Sequence, residues 1–131
     1  MHESYENRLK HKADFRIKYK FRSPEDGGRK TGEPYQGIRC DFSFVEETEN
    51  KMYMIWPEFE DSDGNVLLYN DKSVPNSGTA RMWIINNEMR SLHYDKIQIG
   101  VKGNFKEGSI FTADCEVIEI LDLKINPTIN K

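Results

Sequence analysis

A chain of 131 residues with 37% apolar and 31% charged residues, including two Trp, six Tyr and seven Phe, fits one folded domain and is too aromatic to be disordered. At that length about two-thirds of the unfolded surface can be buried, so the fold needs neither a disulfide nor a metal. The net charge of −3 hides an asymmetry: residues 1–39 carry ten Lys/Arg against six Asp/Glu, and residues 40–131 carry nine against sixteen, which favours an oriented partner over a uniform nucleic-acid coat.

Residues 1–12 are polar and aperiodic, and read as a flexible lead-in. From Ala13 to Arg22 the chain alternates without a slip. Phe15, Ile17, Tyr19 and Phe21 face one way and Arg16, Lys18, Lys20 and Arg22 the other, the pattern of a half-buried strand. Ser23 to Gly28 carries turn chemistry. Ile38, Cys40, Phe42 and Phe44 mark a second strand. A third runs from Met52 to Phe59 with Met52, Met54 and Trp56 in the apolar phase, and Pro57 assigns it to a sheet edge. Asp61 to Asn65 reads as a hairpin turn from which Val66–Tyr69 returns. Thr79–Ile85 is another strand, and Asn86–Asp95 is either a helical turn or a loop. Lys96–Lys102 alternates with Ile97, Ile99 and Val101 inward. Ser109–Leu121 is the longest strand, and its phase change near Val117-Ile118 predicts a bulge. No segment keeps a helical period. The expectation is all-β: a single antiparallel β-barrel of about six to seven strands over residues 13–123, with 124–131 as a polar tail.

Cys40 and Cys115 sit at apolar strand positions without a Cys-x-x-Cys spacing, so they read as reduced, buried thiols. The N-terminus lacks the apolar core of a secretory signal, and no apolar run is long enough for a membrane helix. A cytoplasmic location follows as the expectation.

The stretch Glu25-Asp26-Gly27-Gly28-Arg29-Lys30-Thr31, followed by Tyr35-Gln36-Gly37-Ile38-Arg39-Cys40-Asp41-Phe42-Ser43-Phe44, resembles the opening of the C-terminal β-barrel of elongation factor Tu, and the likeness extends over residues 13–121. The resemblance implies a barrel of that type carried by a stand-alone bacterial protein, and a possible tRNA contact. Val45-Glu46-Glu47 departs from the family pattern, because two carboxylates there would repel phosphates.

The chemistry-bearing motifs are sparse. Gly28-Arg29-Lys30-Thr31 is not a phosphate loop: Arg29 and Pro24 stand where that loop needs glycines, so no nucleotide is expected. Asp61-x-Asp63-Gly64-Asn65 lacks the glutamate of a calcium loop, Lys72 standing at the twelfth position. His93 is the one plausible functional imidazole, and reads as a solvated loop residue. Nothing brings a nucleophile, base and oxyanion donor together, so neither enzyme activity nor a cofactor is expected. The candidate partner-binding residues are the stripe Arg16, Lys18, Lys20 and Arg22, preceded by Arg8, Lys10 and Lys12, then Arg29 and Arg39, and the aromatics Tyr53, Trp83 and Tyr94 with Met82, Met89 and Arg90 beside them. The stripe either meets a partner or pairs across strands with Glu116 and Glu119. The leading expectation is a protein-binding module, toxin-neutralising or translation-associated, and the alternative is an RNA- or tRNA-binding barrel, which Glu46 and Glu47 disfavour.

Overall fold

The structure is a computed structural model that describes residues 1–30, 32–47 and 51–129. Thr31 of the glycine-rich corner and residues 130 and 131 of the tail lie outside the described residues. Six antiparallel strands form one sheet: β1 (Phe15–Phe21), β2 (Asp41–Phe44), β3 (Ile55–Phe59), β4 (Ser77–Ile84), β5 (Lys102–Glu107) and β6 (Ile110–Ile120), in the order β2-β5-β6-β1-β4-β3. The sheet curls into a half-barrel. Its two edges meet at one bridge, where Phe42 N–H donates to Tyr53 O at 3.0 Å and Tyr53 N–H to Phe42 O at 2.9 Å. Among the described residues no helix is long and apolar enough to cross a membrane.

The strand alternation of β1 holds. Phe15, Ile17, Tyr19 and Phe21 are buried on the concave side, while Lys18 and Lys20 are exposed on the convex side. The rings of Phe15, Tyr19, Phe21, Phe42, Phe59 and Phe105 touch one another on the concave side, Tyr19 and Phe59 edge to face at 5.0 Å. Each such ring contributes ~1.5–3 kcal/mol by leaving water. Both thiols are buried and free, as expected. The expected bulge is present: Arg16 faces Glu119 and Ile17 faces Val117, so Ile118 is skipped. Pro57 lies on an edge strand, as its missing N–H requires. The corner after β1 needs both of its glycines. Gly27 adopts φ 89°, and a Cβ on Gly28 would collide with the Arg22 carbonyl.

Four expectations need correction. Residues 1–12 contain a short helix, α1 (Tyr5–Leu9), capped by Ser4, and they bury His2 and Tyr5. The phase of the third strand is reversed: Tyr53, Ile55 and Phe59 pack on the core, while Met52 and Met54 are 45% and 50% exposed. Both sets are apolar, so alternation alone does not choose between them; the Phe42–Tyr53 bridge does. Lys96–Lys102 is not a strand up to Lys102. Lys96 and Ile97 N–H both bond His93 O, and Val101 N–H bonds Gln98 O. Period two fails through these turns, leaving Ile97 buried but Ile99 71% exposed. The tail is tied in at its start: Leu123 is buried, and Asn126 Nδ2 donates to Lys12 O at 2.8 Å and Asp14 Oδ1 at 2.9 Å. The 61–65 turn forms as expected, although its return is a single Glu60–Val66 bridge.

Candidate functional site

The convex surface carries most of the predicted site residues. Along β1, the register sets Arg16, Lys18 and Lys20 opposite Glu119, Glu116 and Asp114 of β6. Arg16 Nη1 donates to Glu119 at 2.8 Å and its Nη2 to the buried Glu60 at 2.9 Å. Arg22 forks onto Asp114, its Nη2 at 2.7 Å. Glu116 sits between Lys102 at 2.5 Å and Lys18 at 3.8 Å. The Arg22 guanidinium holds the Asp114 carboxyl below its usual range, and the Lys102 ammonium does the same for Glu116. Glu60 takes a second guanidinium from Arg81 at 2.9 Å, and the Thr79 hydroxyl donates to it at 2.8 Å. An open cleft of about 560 Å³ beside them mixes Lys12, Arg16 and Arg81 with Glu6, Glu60, Asp63 and Asp122. Arg16, Lys18 and Arg22 of the stripe are therefore held in cross-strand ion pairs, while Lys20 faces Asp114 in register without an ion pair among the described residues.

The remaining predicted residues are scattered. Arg29 forks onto Glu107, with Nη2 at 2.6 Å. Tyr94 is half-buried against the core. Trp83 is not exposed: it is fully buried on the convex side with Tyr5 and Ala13, beneath α1. Met82 and Arg90 are buried too. Arg90 holds Asp14 at 2.8 Å, Ile84 O at 2.8 Å, Asn87 at 2.7 Å and the Pro127 carbonyl, knotting β1, β4 and the tail together. His93 is not solvated. Its ring is enclosed by Phe44 and Tyr53, centroids 5.7 and 4.7 Å away, and neither nitrogen has a hydrogen-bond partner. Burial lowers its pKa to about 4, with Lys96 acting in the same direction and Glu47 against it. Lys96, Glu47 and the Tyr53 hydroxyl bond one another over this ring.

Arg39 belongs to a different environment. Its guanidinium lies over the Trp56 ring, 4.9 Å from the centroid. Exposed Met52 and Met54 precede Trp56 in the chain, just before β3. Arg8 of α1 stacks on the neighbouring Tyr5 at 5.6 Å, and Tyr5 meets Trp83 edge to face at 5.9 Å. Beneath this layer Glu58, 1% exposed, accepts the Tyr5 N–H at 2.8 Å and the Trp83 indole N–H at 3.2 Å, and bonds His2 Nε2 at 2.7 Å. Buried polar groups of this kind are costly unless partnered, and here partnering fixes the N-terminal segment to β3 and β4. Burial pushes the Tyr5 phenol up and Glu58 adds to it, while Arg8 and Arg39 both oppose the shift.

The free edge of β3 is closed to a further strand. Met54 O and Glu60 N–H bond β4, so the odd-numbered residues between them face outward. Ile55 N–H bonds Tyr53 O at 2.9 Å, Pro57 has none, and Phe59 exchanges two bonds with the Gln36 amide at 2.8 and 2.9 Å. Blunted edges of this kind prevent edge-to-edge pairing. What β3 offers is its face. Sequence reasoning named Arg39 but missed Trp56, Met54 and Tyr5; the available signal was a run of apolar residues on both phases of an edge strand, more than a one-sided core requires. Comparison with protein-family models and with curated proteins finds no match for this chain.

Proposed function

We propose that the chain is a non-enzymatic protein-binding module whose partner docks on the convex face of β3, over Arg39, Met52, Met54 and Trp56. The observation that supports it best is the Arg39–Trp56 stack beside two half-exposed methionines. Arg, Trp and Met are the residue types enriched at the centres of protein interfaces. The candidate nucleophiles and base argue in the same direction: Cys40, Cys115 and His93 are buried, and burial pushes both thiols up. The RNA-binding alternative has less support, because Arg16, Lys18 and Arg22 of the stripe it needs are engaged by Glu60, Asp114, Glu116 and Glu119. The resemblance to the C-terminal barrel of elongation factor Tu enters this reading as a scaffold only.

The test is a quantitative pull-down with RNase-treated lysate. A partner should be retained by the wild type and by the Lys18→Glu/Lys20→Glu double variant, and lost about tenfold with Met54→Asp, whose side chain is at the surface. Equal retention by all three proteins would refute the reading. The identity of the retained partner decides between a toxin-neutralising and a translation-associated role.

A further inference from the structure

We infer that the docked segment is acidic, with an apolar side chain next to a carboxylate that Arg39 receives. This rests on the protein-binding reading above and adds the chemistry of the bound segment. The chain has seven arginines. Arg16, Arg22, Arg29, Arg81 and Arg90 each hold a carboxylate at 2.9 Å or closer, and Arg8 reaches Glu3 only at 4.0 Å. Among the described arginines, Arg39 alone has no carboxylate within ion-pair distance. It is exposed, and its guanidinium lies over the Trp56 ring. A guanidinium lying on an aromatic face keeps its in-plane N–H groups free, and the stack fixes its plane before any ligand arrives. Those N–H groups form the fork that accepts a carboxylate through two parallel bonds.

The surroundings choose carboxylate over phosphate. A nucleic-acid backbone needs several free cations in a row, whereas the cleft that Arg39 lines with Arg29 and Lys106 also holds the carboxylates of Asp41 and Glu107, and Glu107 takes up Arg29. The apolar requirement comes from Met52 and Met54. Their unbranched thioether side chains adapt to irregular apolar surfaces, and their position before Trp56 puts that contact beside the fork.

Three phage libraries of twelve-residue peptides, each with one fixed Leu or Phe and otherwise Asp/Glu-rich, Lys/Arg-rich or neutral, are panned on the full chain. A mixed-sequence twenty-nucleotide RNA is titrated in parallel. The Asp/Glu-rich library should enrich. By fluorescence anisotropy, Arg39→Gln should weaken the best acidic peptide about tenfold or more, and Arg39→Lys should not fully restore it, because the planar fork is lost. Thermal melts confirm that the variants fold. Enrichment of a basic or neutral library, RNA binding without acidic enrichment, or no enrichment at all overturns the inference. If Met54→Asp abolishes peptide binding while Arg39→Gln leaves it unchanged, the carboxylate assignment fails and the docking face stands. If neither variant changes it, the face itself is wrong.

Discussion

Two stretches of the convex surface carry basic residues and treat them in opposite ways. On β1 the register with β6 sets the cations opposite acids, and Glu60 takes up both Arg16 and Arg81. On β3 and α1, Arg39 and Arg8 lie on aromatic rings, and the nearest carboxylate is 4.0 Å from Arg8. Paired charges largely cancel each other's field beyond their own neighbourhood, whereas stacked ones keep theirs. The richest basic run in the sequence is thus the quieter face, and a lone arginine seventeen positions before its tryptophan marks the more available one. Substitutions on the first face should act on stability, and exposed substitutions on the second on binding.

The largest effect tests the support beneath the second face. Trp83→Ala removes a fully buried ring that carries Tyr5 and bonds Glu58, and urea melts should show a loss of ~3–5 kcal/mol. Binding of an acidic peptide should fall with it, because α1 and Arg8 lose their floor. A loss below about 1 kcal/mol would mean that the stacked arginines are not held from below.

Next comes a polar group that is neither paired nor exposed. His93 has both nitrogens buried and unbonded beneath Lys96, Glu47 and Tyr53. Its folded-state pKa is lowered from 6.5 to about 4, so between those values the unfolded chain binds the extra proton. Stability should be full above pH 6.5, decline as pH falls, and level off near pH 4, a loss of ~3 kcal/mol attributable to this ring. His93→Phe should abolish that part of the acid slope and leave stability at pH 7 equal or higher, since two unsatisfied atoms disappear. Parallel pH–stability curves for the two proteins would remove His93 from the account.

Glu60→Ala comes third. Its carboxylate is 1% exposed and binds Arg16, Arg81 and Thr79. Both arginines can turn toward water, so the loss should be ~1–3 kcal/mol. If pairing is what quiets the β1 face, the variant should also elute later from heparin, and an unchanged elution would break the contrast between the faces.

How much of this was legible in the sequence depends on one-sidedness. β1 reads plainly because Phe15, Ile17, Tyr19 and Phe21 alternate with charges, and the bulge shows as a shift of the apolar phase at Ile118. β3 does not, because apolar residues occupy both phases and only the Phe42–Tyr53 bridge orients it. Trp83 looked exposed because the element that covers it, α1, is five residues long and too short to leave a period. The Arg39–Trp56 stack and the enclosure of His93 are tertiary contacts. They depend on how the sheet curls, which no local pattern encodes.

The smallest expected effect carries the most weight for function. Lys18 is 61% exposed and 3.8 Å from Glu116, which keeps Lys102 at 2.5 Å whatever happens to Lys18. Exposed pairs of this kind are worth at most about 1 kcal/mol. Lys18→Glu/Lys20→Glu sets like charges opposite Glu116 and Asp114, so thermal melts should show a stability loss within about 1 kcal/mol. If the β1 cations serve the sheet and meet no partner, acidic-peptide affinity and RNA retention from lysate should both match the wild type. A marked fall in RNA retention by a folded double variant would show that the paired face meets phosphates despite its carboxylates, and the two faces would exchange roles.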